Sequence, residues 1–364
     1  MIDSAPRLSL LDRSRTRAGE AESAALRGTV DRAVRAERLG YDRIWVAEHH
    51  GVPGIAGAAP AVLLAAVAGA TSSIRVGSAG VMLPHHQPIV VAEQFATVSA
   101  FAPGRVDLGL GRSPGFTPPV RRALRQTDRA VAAGRADAAG RADAAGRADA
   151  AGRADAADRD FAADLIEVRA FLEGTAEVGL HPRPDGPLPM YVLATGSGLA
   201  IAAELGLPVI AGGPLLRAGG EAALAAYRRD FRPSAQQPEP RVAVSLDVLI
   251  ADTAEEAADL LLPEAWAMAQ ARTTGVFPPL EPVSTVKAAP RTPRQQQYLE
   301  QTAAAAITGT AAQVERRVAG LLDRTGAVEL VAAGSTFDRA ALAASDAALA
   351  RLFRHEEARS QAIP

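Results

Sequence analysis

Short apolar runs rich in valine, isoleucine and leucine alternate along the chain with longer alanine-rich stretches that have helical spacing. The runs have the length of β-strands, and the stretches carry apolar residues on one side of a helix. Such alternation is typical of βα units around a parallel sheet. Eight runs are predicted to be strands: 7–11, 43–47, 74–83, 106–110, 190–194, 208–211, 242–250 and 329–332.

The stretches between these runs are predicted to be helices, and local signals mark several of their ends. Gly40 and Gly206 are expected to end two helices, and Thr310 is expected to cap the start of another. Eight strand and helix pairs in this length predict a (β/α)8 TIM barrel with insertions after strands 4 and 7. A doubly wound open sheet is the alternative, because the pattern does not show whether the sheet closes. The predicted helices are 20–39, 58–71, 88–101, 161–172, 197–205, 218–231, 254–271 and 311–323.

Two segments interrupt this pattern, and the remainder predicts a single barrel domain over residues 1–364. Residues 134–157 are four tandem copies of the hexapeptide GRADAA, a low-complexity insertion that we expect to be marginally helical or disordered, with a partner contact as the alternative. Residues 273–294 contain five prolines, too many for one helix. A loop of that length is a candidate active-site lid.

Composition and charge narrow the range of functions. A formal net charge of −2 gives no basic field for nucleic acid, and 48% hydrophobic residues allow a large core. The absence of cysteine excludes disulfides and thiol chemistry and favours the cytoplasm. No apolar stretch approaches the eighteen residues of a membrane span, so we expect no membrane association.

The second predicted strand ends in three ionisable residues, Glu48, His49 and His50. In a TIM barrel the C-terminal ends of the strands form the active-site face. Side chains alternate along an extended chain, so the two histidines should occupy different environments. Either histidine is a candidate acid, base or hydrogen-bond donor, and a structural role is the alternative.

The third predicted strand contains four small residues and leads into another histidine pair, His85 and His86. The small residues, which would let a flat ligand approach the backbone, are Gly77, Ser78, Ala79 and Gly80. The two histidine pairs with Glu48 raise the alternative of a metal site. Adjacent histidines on extended backbone diverge, so we predict no metal.

An anion site is predicted where the fourth and fifth strands end. Arg112 follows the fourth strand, and a guanidinium matches a phosphate in bidentate geometry. After the fifth strand, a turn leads directly into a helix whose amino end favours an anion; its residues are Thr195, Gly196, Ser197 and Gly198. A surface ion pair and an ordinary βα turn are the respective alternatives.

Six segments together resemble the bacterial luciferase-like, flavin-dependent monooxygenases over nearly the whole chain. They are SLLDRS, AERLGYDRIWVAEHHGVPGIAGAAP, IRVGSAGVMLPHHQPIVVAEQF, PGRVDLGLGRSPG, LATGSGLAIAAELGLP and ITGTAAQVERRV.

The resemblance implies a TIM barrel that binds reduced FMN, with the phosphate between the loops after strands 4 and 5. It implies a functional His49 beside the flavin, with His50 as its neighbour, and a non-proline cis peptide bond after the third strand at Ala79 and Gly80. It also implies oxygen as co-substrate, a small organic substrate, a separate flavin reductase that supplies the reduced FMN, and a homodimer formed through early helices. Where luciferases carry a cysteine beside the flavin, this chain has Gly111, so light emission is not implied.

Two other functions remain open from the sequence. A deazaflavin-dependent oxidoreductase on the same barrel would transfer hydride and would not use oxygen. A flavin-binding protein without turnover is the alternative outside enzymes, because a fold and a phosphate site can persist after catalysis is lost.

Overall fold

Eight parallel strands close into a barrel in the computed structural model, which describes residues 6–113, 115–126, 144–217 and 219–360. Around the barrel the order is β1-β2-β3-β4-β5-β6-β7-β10, and β8 pairs with β9 in a separate two-stranded parallel sheet. The strands are β1 (Arg7–Asp12), β2 (Arg43–Val46), β3 (Arg75–Met82), β4 (Val106–Gly111), β5 (Met190–Ala194), β6 (Val209–Gly212), β7 (Val242–Leu246), β8 (Val248–Ile250), β9 (Ile307–Gly309) and β10 (Glu329–Ala332).

Twelve helices are described, together with 3₁₀ turns at Leu83–His85 and Gly213–Leu216. They are α1 (Ser23–Leu39), α2 (Pro60–Ala70), α3 (Pro88–Phe101), α4 (Pro118–Ala123), α5 (Ala144–Glu173), α6 (Gly198–Leu205), α7 (Glu221–Asp230), α8 (Ala254–Thr274), α9 (Val283–Ala288), α10 (Pro293–Ala305), α11 (Ala311–Thr325) and α12 (Arg339–Ser360). Within the described ranges, no helix is both long enough and apolar enough to cross a bilayer.

The predicted barrel is confirmed, and the local end signals act as expected. Gly40 and Gly206 end α1 and α6 with φ of 81° and 64°, a left-handed conformation that glycine adopts without steric cost. Thr310 caps α11 in a capping box with Gln313. The closed strand order excludes the doubly wound open sheet.

Two predictions were wrong in part, and one helix was not predicted. The run 242–250 is two strands, because the chain leaves the barrel after Leu246 and Val248 begins the pair with β9. The predicted 311–323 helix is confirmed as α11, whereas α12, the helix that follows the last barrel strand, was not predicted. Part of the 273–294 segment is helical: α9 lies inside it, and Pro293 occupies the first turn of α10, where proline needs no N–H partner.

The described part of the GRADAA insertion is helical. Residues 144–157 continue without a break into the predicted 161–172 helix as α5, and residues 134–143 lie outside the described residues. The distal part of α5 is anchored by apolar side chains, with Phe161 and Leu165 2% and 1% exposed. Phe171 packs with Ala92 and Ala96 of α3.

The chain divides into two compact units. The first comprises Met1–Ala58, Ala70–Arg75 and Val242–Pro364, and the second comprises Ala59–Gly69 and Val76–Arg241. In the first, Arg43 of β2 makes two hydrogen bonds to Glu329 of β10, at 2.7 and 2.8 Å, and Ser9 of β1 donates to the same carboxylate at 2.6 Å. In the second, a cluster between α3 and α5 includes Leu180.

Candidate functional site

His49 lies three residues beyond the end of β2, in the first unit. Its backbone N–H donates to the carbonyl oxygen of Gly57 at 2.8 Å, which fixes the chain where it leaves the barrel. The imidazole Nδ1 is buried and makes no hydrogen bond to any described residue. A buried polar atom without a protein partner is unusual and points to a ligand or water that completes it.

His50 occupies a different environment, as the alternation of side chains predicts. Its Nε2 lies 2.6 Å from Oε1 of Glu48, whose side chain is fully buried. Because a buried carboxylate needs a partner, this contact holds the His50 ring in one orientation. The pair makes His50 a more constrained group than His49.

An array of buried and half-buried charged residues acts electrostatically on His49. Arg13, which follows β1, contacts Asp247 at 2.6 Å and Glu264 at 3.4 Å. Arg15 contacts the other oxygen of Glu264 at 2.7 Å and stacks on the ring of Phe277 at 4.2 Å. This array could not be predicted from the sequence, because its acids lie more than 230 residues from its arginines. The only local signal is the SLLDRS segment, which contains Arg13.

These charges change the protonation of the groups around them. Burial, with the positive charges of Arg13 and Arg15, lowers the pKa of His49 to about 4, so its imidazole is neutral at neutral pH. Burial would raise the pKa of Glu264, but Arg15 and Arg13 hold it below its usual value. Burial raises the pKa of Asp247 to about 6, against the opposing effect of Arg13. His49 is therefore suited to hydrogen bonding and proton acceptance at neutral pH.

We expect the stability of the protein to depend on the protonation of His49. Its pKa is about 4 in the folded chain and 6.5 for an ordinary histidine, so between these values the unfolded chain binds a proton that the folded chain does not. The resulting loss of stability begins as the pH falls below the ordinary value, levels off below the folded pKa, and is at most about 1.4 kcal/mol per pH unit.

The measurement is urea unfolding of the wild type and His49→Gln as a function of pH. Asp247 acts in the opposite direction, because the folded chain holds its proton more tightly. The difference between the two proteins therefore isolates His49. The difference in unfolding free energy between the two proteins should be constant at neutral and mildly alkaline pH. At acidic pH the wild type should lose more stability than His49→Gln. If the unfolding free energies of the two proteins change in parallel over the whole pH range, the lowered pKa of His49 is wrong.

In the second unit, the ends of β4 and β5 meet at Arg112 and Ser197, which sequence analysis proposed as neighbours. Arg112 Nη2 donates to Ser197 Oγ at 2.5 Å. Arg112 also forms an ion pair with Asp158 and lies over the ring of Phe161 at 5.7 Å. An oxyanion of this chain therefore already sits on the guanidinium that was predicted to bind one.

The turn after β5 presents its polar groups at the surface. Thr195 and Ser197 are exposed, Gly196 is half-buried, and Gly198 is buried at the first turn of α6. An amino end of a helix with adjacent hydroxyls and an arginine favours phosphate. The ion pair between the Asp158 carboxylate and Arg112 is a further indication that this position favours an anion.

The small residues of β3 are buried, and a cis peptide bond joins Ala79 to Gly80 as the resemblance implied, although it lies inside the strand. Ser78 is committed to the sheet: its hydroxyl donates to the Gly109 carbonyl at 2.8 Å and accepts from the Gly109 N–H at 3.0 Å. A Cβ at Gly109 would lie 2.0 Å from the Ser78 carbonyl oxygen, so the close approach of β3 and β4 itself demands glycine there. Contact of Gly77, Ser78, Ala79 or Gly80 with a ligand stays a prediction.

At Gly111, a neighbouring side chain takes the space of the missing one. A Cβ at this position would lie 3.1 Å from the terminal methyl of Met82. Replacing Gly111 by a larger residue would require Met82 to move. Met82 therefore occupies space that a side chain at position 111 would otherwise fill.

Comparison with known proteins identifies relatives along almost the entire chain. A family model described as luciferase-like monooxygenase matches residues 7–329. A luciferase-like monooxygenase of Escherichia coli (strain K12) is 32% identical over 348 residues, which are 94% of this chain and 95% of that protein. The N-acetyl-S-alkylcysteine monooxygenase of Bacillus subtilis (strain 168) is 53% identical over 109 residues, 30% of this chain and 33% of its own length.

Solved structures share the same fold. The crystal structure of apo-MsnO8 superposes with a TM-score of 0.78 at 28% identity, covering 96% of this chain and 98% of that one. The oxygenating constituent of 3,6-diketocamphane monooxygenase from Pseudomonas putida, in complex with FMN, has a TM-score of 0.62 at 17% identity, with coverages of 95% and 97%. An F420-dependent secondary alcohol dehydrogenase has a TM-score of 0.65 at 14% identity, with coverages of 96% and 98%. At such low identity the last two show the fold alone.

Proposed function

Because this chain belongs to the luciferase-like monooxygenase family, we propose that it is a flavin-dependent monooxygenase that uses reduced FMN and oxygen to oxidise a small organic substrate. The observation that carries the proposal is the contact between Arg112 and Ser197 at the ends of two neighbouring barrel strands. The C-terminal end of the strands is where TIM barrels bind their ligands.

The residues present at this contact fit a phosphate. The guanidinium of Arg112 already contacts the carboxylate of Asp158 and donates to the hydroxyl of Ser197. In this geometry it can therefore bind an oxyanion. The hydroxyl of Thr195 and the backbone of Gly196 and Gly198 are assigned to the same phosphate. These groups would hold the cofactor and orient it, without taking part in electron transfer.

The residues after β2 have hydrogen-bonding groups that suit the polar edge of a flavin ring. Nδ1 of His49 is buried and has no hydrogen-bond partner among the described residues, and its neutral imidazole can donate through one nitrogen and accept through the other. Reduced FMN, when bound, would supply the two electrons that activate oxygen, of which one atom would go to the substrate and the other would leave as water. In this proposal His49 holds or accepts a proton beside the reacting ring, while the Glu48 contact positions His50.

The small residues of β3 are assigned to the flat face of the ring. Gly77, Ala79 and Gly80 project at most a methyl group, so a planar ligand can lie against the backbone. Ser78 would contribute through its backbone, because its hydroxyl is bonded to Gly109. Tight surroundings of this kind exclude water from the reacting centre.

The direct test is oxygen-dependent turnover by the purified protein. A flavin reductase and NADH would supply reduced FMN, and thioethers related to the substrate named for the B. subtilis relative are the first trial substrates. We expect incorporation of one atom from labelled oxygen gas into the product. Hydride transfer from reduced deazaflavin to a carbonyl under anaerobic conditions would instead establish the alternative enzyme. Tight flavin binding with no turnover across a broad substrate panel would establish the non-catalytic alternative.

The partners in this proposal are a flavin reductase, oxygen, the organic substrate and a second copy of the chain, in the cytoplasm. The 273–294 lid also stays a prediction. Its central part is docked, since Leu280 exchanges backbone hydrogen bonds with Thr16 and Ala18 at 2.9 and 2.8 Å. Opening such a lid would require breaking both bonds.

We expect a homodimer that Val62→Glu dissociates. Helix α2 contains no polar side chain, yet Val62 is 72% exposed, and Phe101 at the end of α3 is 65% exposed. Exposed apolar side chains of this size favour association. A buried carboxylate at position 62 would oppose it. Sedimentation velocity should show a dimer for the wild type and for the matched Val178→Glu, whose valine is exposed elsewhere, and a monomer for Val62→Glu. A monomeric wild type would refute the dimer.

A further inference from the structure

The ion pair on Arg112 involves an acid that the proposed chemistry does not use. Asp158 is the first residue after the fourth GRADAA copy, and its carboxylate contacts Nη1 of Arg112 while Nη2 contacts Ser197. The side chains of Arg112 and Asp158 are 15% and 25% exposed. The pair is therefore much less solvent-screened than an ordinary surface ion pair.

The position of this carboxylate is set by the packing of α5. Asp158 and Phe161 are three residues apart on the helix, so they lie on the same face, and Leu165 continues that face one turn further. Phe161 and Leu165 are 2% and 1% exposed. Phe161 itself lies under the Arg112 guanidinium at 5.7 Å. A helix anchored by these two side chains delivers Asp158 to Arg112.

A carboxylate and a phosphate satisfy a guanidinium through the same paired hydrogen bonds. One arginine with one of its edges already bonded to an acid cannot give that edge to a phosphate without releasing the acid. We propose that Asp158 is a specificity-determining residue: an internal anion on Arg112 that a ligand phosphate must displace, and that lowers affinity for phosphorylated flavin relative to unphosphorylated flavin. This inference rests on the proposed function. A cofactor that arrives from a reductase and leaves after turnover benefits from a site that is not occupied too tightly.

The test compares Asp158→Asn with the wild type and with Asp160→Asn, a matched control because Asp160 is exposed on the same helix. Asparagine keeps the shape of the side chain and removes its charge. Dissociation constants for FMN and riboflavin would be measured by quenching of flavin fluorescence. We expect Asp158→Asn to bind FMN about tenfold more tightly, with riboflavin changed less than about twofold. Asp160→Asn should change neither.

Two outcomes would overturn the proposal. If Asp158→Asn binds FMN as the wild type does, the carboxylate does not compete with the phosphate. If it binds FMN more weakly, Asp158 orients Arg112 for the ligand and does not oppose it. An equal gain for FMN and riboflavin would also contradict it, because the effect would then not involve the phosphate.

A measurement without flavin separates this inference from the proposed function. Inorganic phosphate should raise the melting temperature of Asp158→Asn more than that of the wild type, and Arg112→Gln in the same background should abolish the gain. A gain with no FMN binding by any variant would leave the anion competition standing and refute the cofactor assignment. FMN binding, with no rise in melting temperature from phosphate and no effect of Asp158→Asn, would support the cofactor assignment and refute the anion competition.

Discussion

His49→Ala should bind FMN with an affinity within about threefold of the wild type and lose oxygen-dependent product formation by at least about 100-fold. The loss is the usual range for removing a positioned acid, base or hydrogen-bonding group at a reacting centre. Binding should persist because, in the proposed site, the phosphate would be held by Arg112 and Ser197 and not by His49. The variant therefore separates cofactor binding from chemistry.

Product formation and flavin reoxidation should be measured together in the reductase-coupled assay. The variant is expected to consume reduced flavin without forming product. His181→Ala, which removes an exposed imidazole in the second unit, serves as the control and should keep wild-type turnover. A His49→Ala protein with full product formation would remove this histidine from the mechanism. Loss of flavin binding together with a lowered melting temperature would make its role structural.

The second large effect is expected from Arg112→Ala, which should weaken FMN binding by about 100-fold and riboflavin binding by less than about threefold. A hydrogen bond to a charged group contributes about 1.5 to 3 kcal/mol, and the phosphate of FMN is the part that riboflavin lacks. Loss of the guanidinium also leaves the Asp158 carboxylate beside the phosphate without a counter-charge. Both changes act on FMN alone.

The comparison requires fluorescence or calorimetric titration with both flavins, at low and at high salt. Arg122→Ala is the matched control, because Arg122 is an exposed arginine of α4 in the same unit. It should bind both flavins as the wild type does. Equal weakening of FMN and riboflavin by Arg112→Ala would place the phosphate elsewhere. High salt should reduce the difference in FMN affinity between the wild type and Arg112→Ala, because salt screens a partly exposed charge.

Most of the barrel could be predicted because its elements are set by local patterns. The β5 run MYVLA and the β10 run ELVA match their predicted bounds, since each is a short, buried apolar segment between turn residues. The run 242–250 has no turn signal at Asp247, so its pattern predicts one strand where the structure has two. That residue is instead directed to Arg13, a partner 234 residues away. The β9 strand has only three residues, too few for a periodic signal.

The candidate site was predictable in part. Arg112 and Ser197 were found because each follows a strand, and neighbouring parallel strands end together. The acid on Arg112 was not, because Asp158 stands at the end of a low-complexity repeat and nothing local marks it as a partner. The small size of Ser78 predicts a ligand contact, and only the structure shows that its hydroxyl serves the pairing of β3 with β4, which leaves its backbone for such a contact.

The order of apolar and polar residues by itself determined that this chain forms strands and helices in alternation, with histidines and an arginine where strands end. Those properties depend on neighbours a few residues away, so the linear pattern contains them. Tertiary structure alone decided that Arg13 and Arg15 meet Glu264, and that burial together with these two arginines lowers the pKa of His49 to about 4. Charge interactions depend on distance in space and on exclusion of water, and both arise only when the barrel closes.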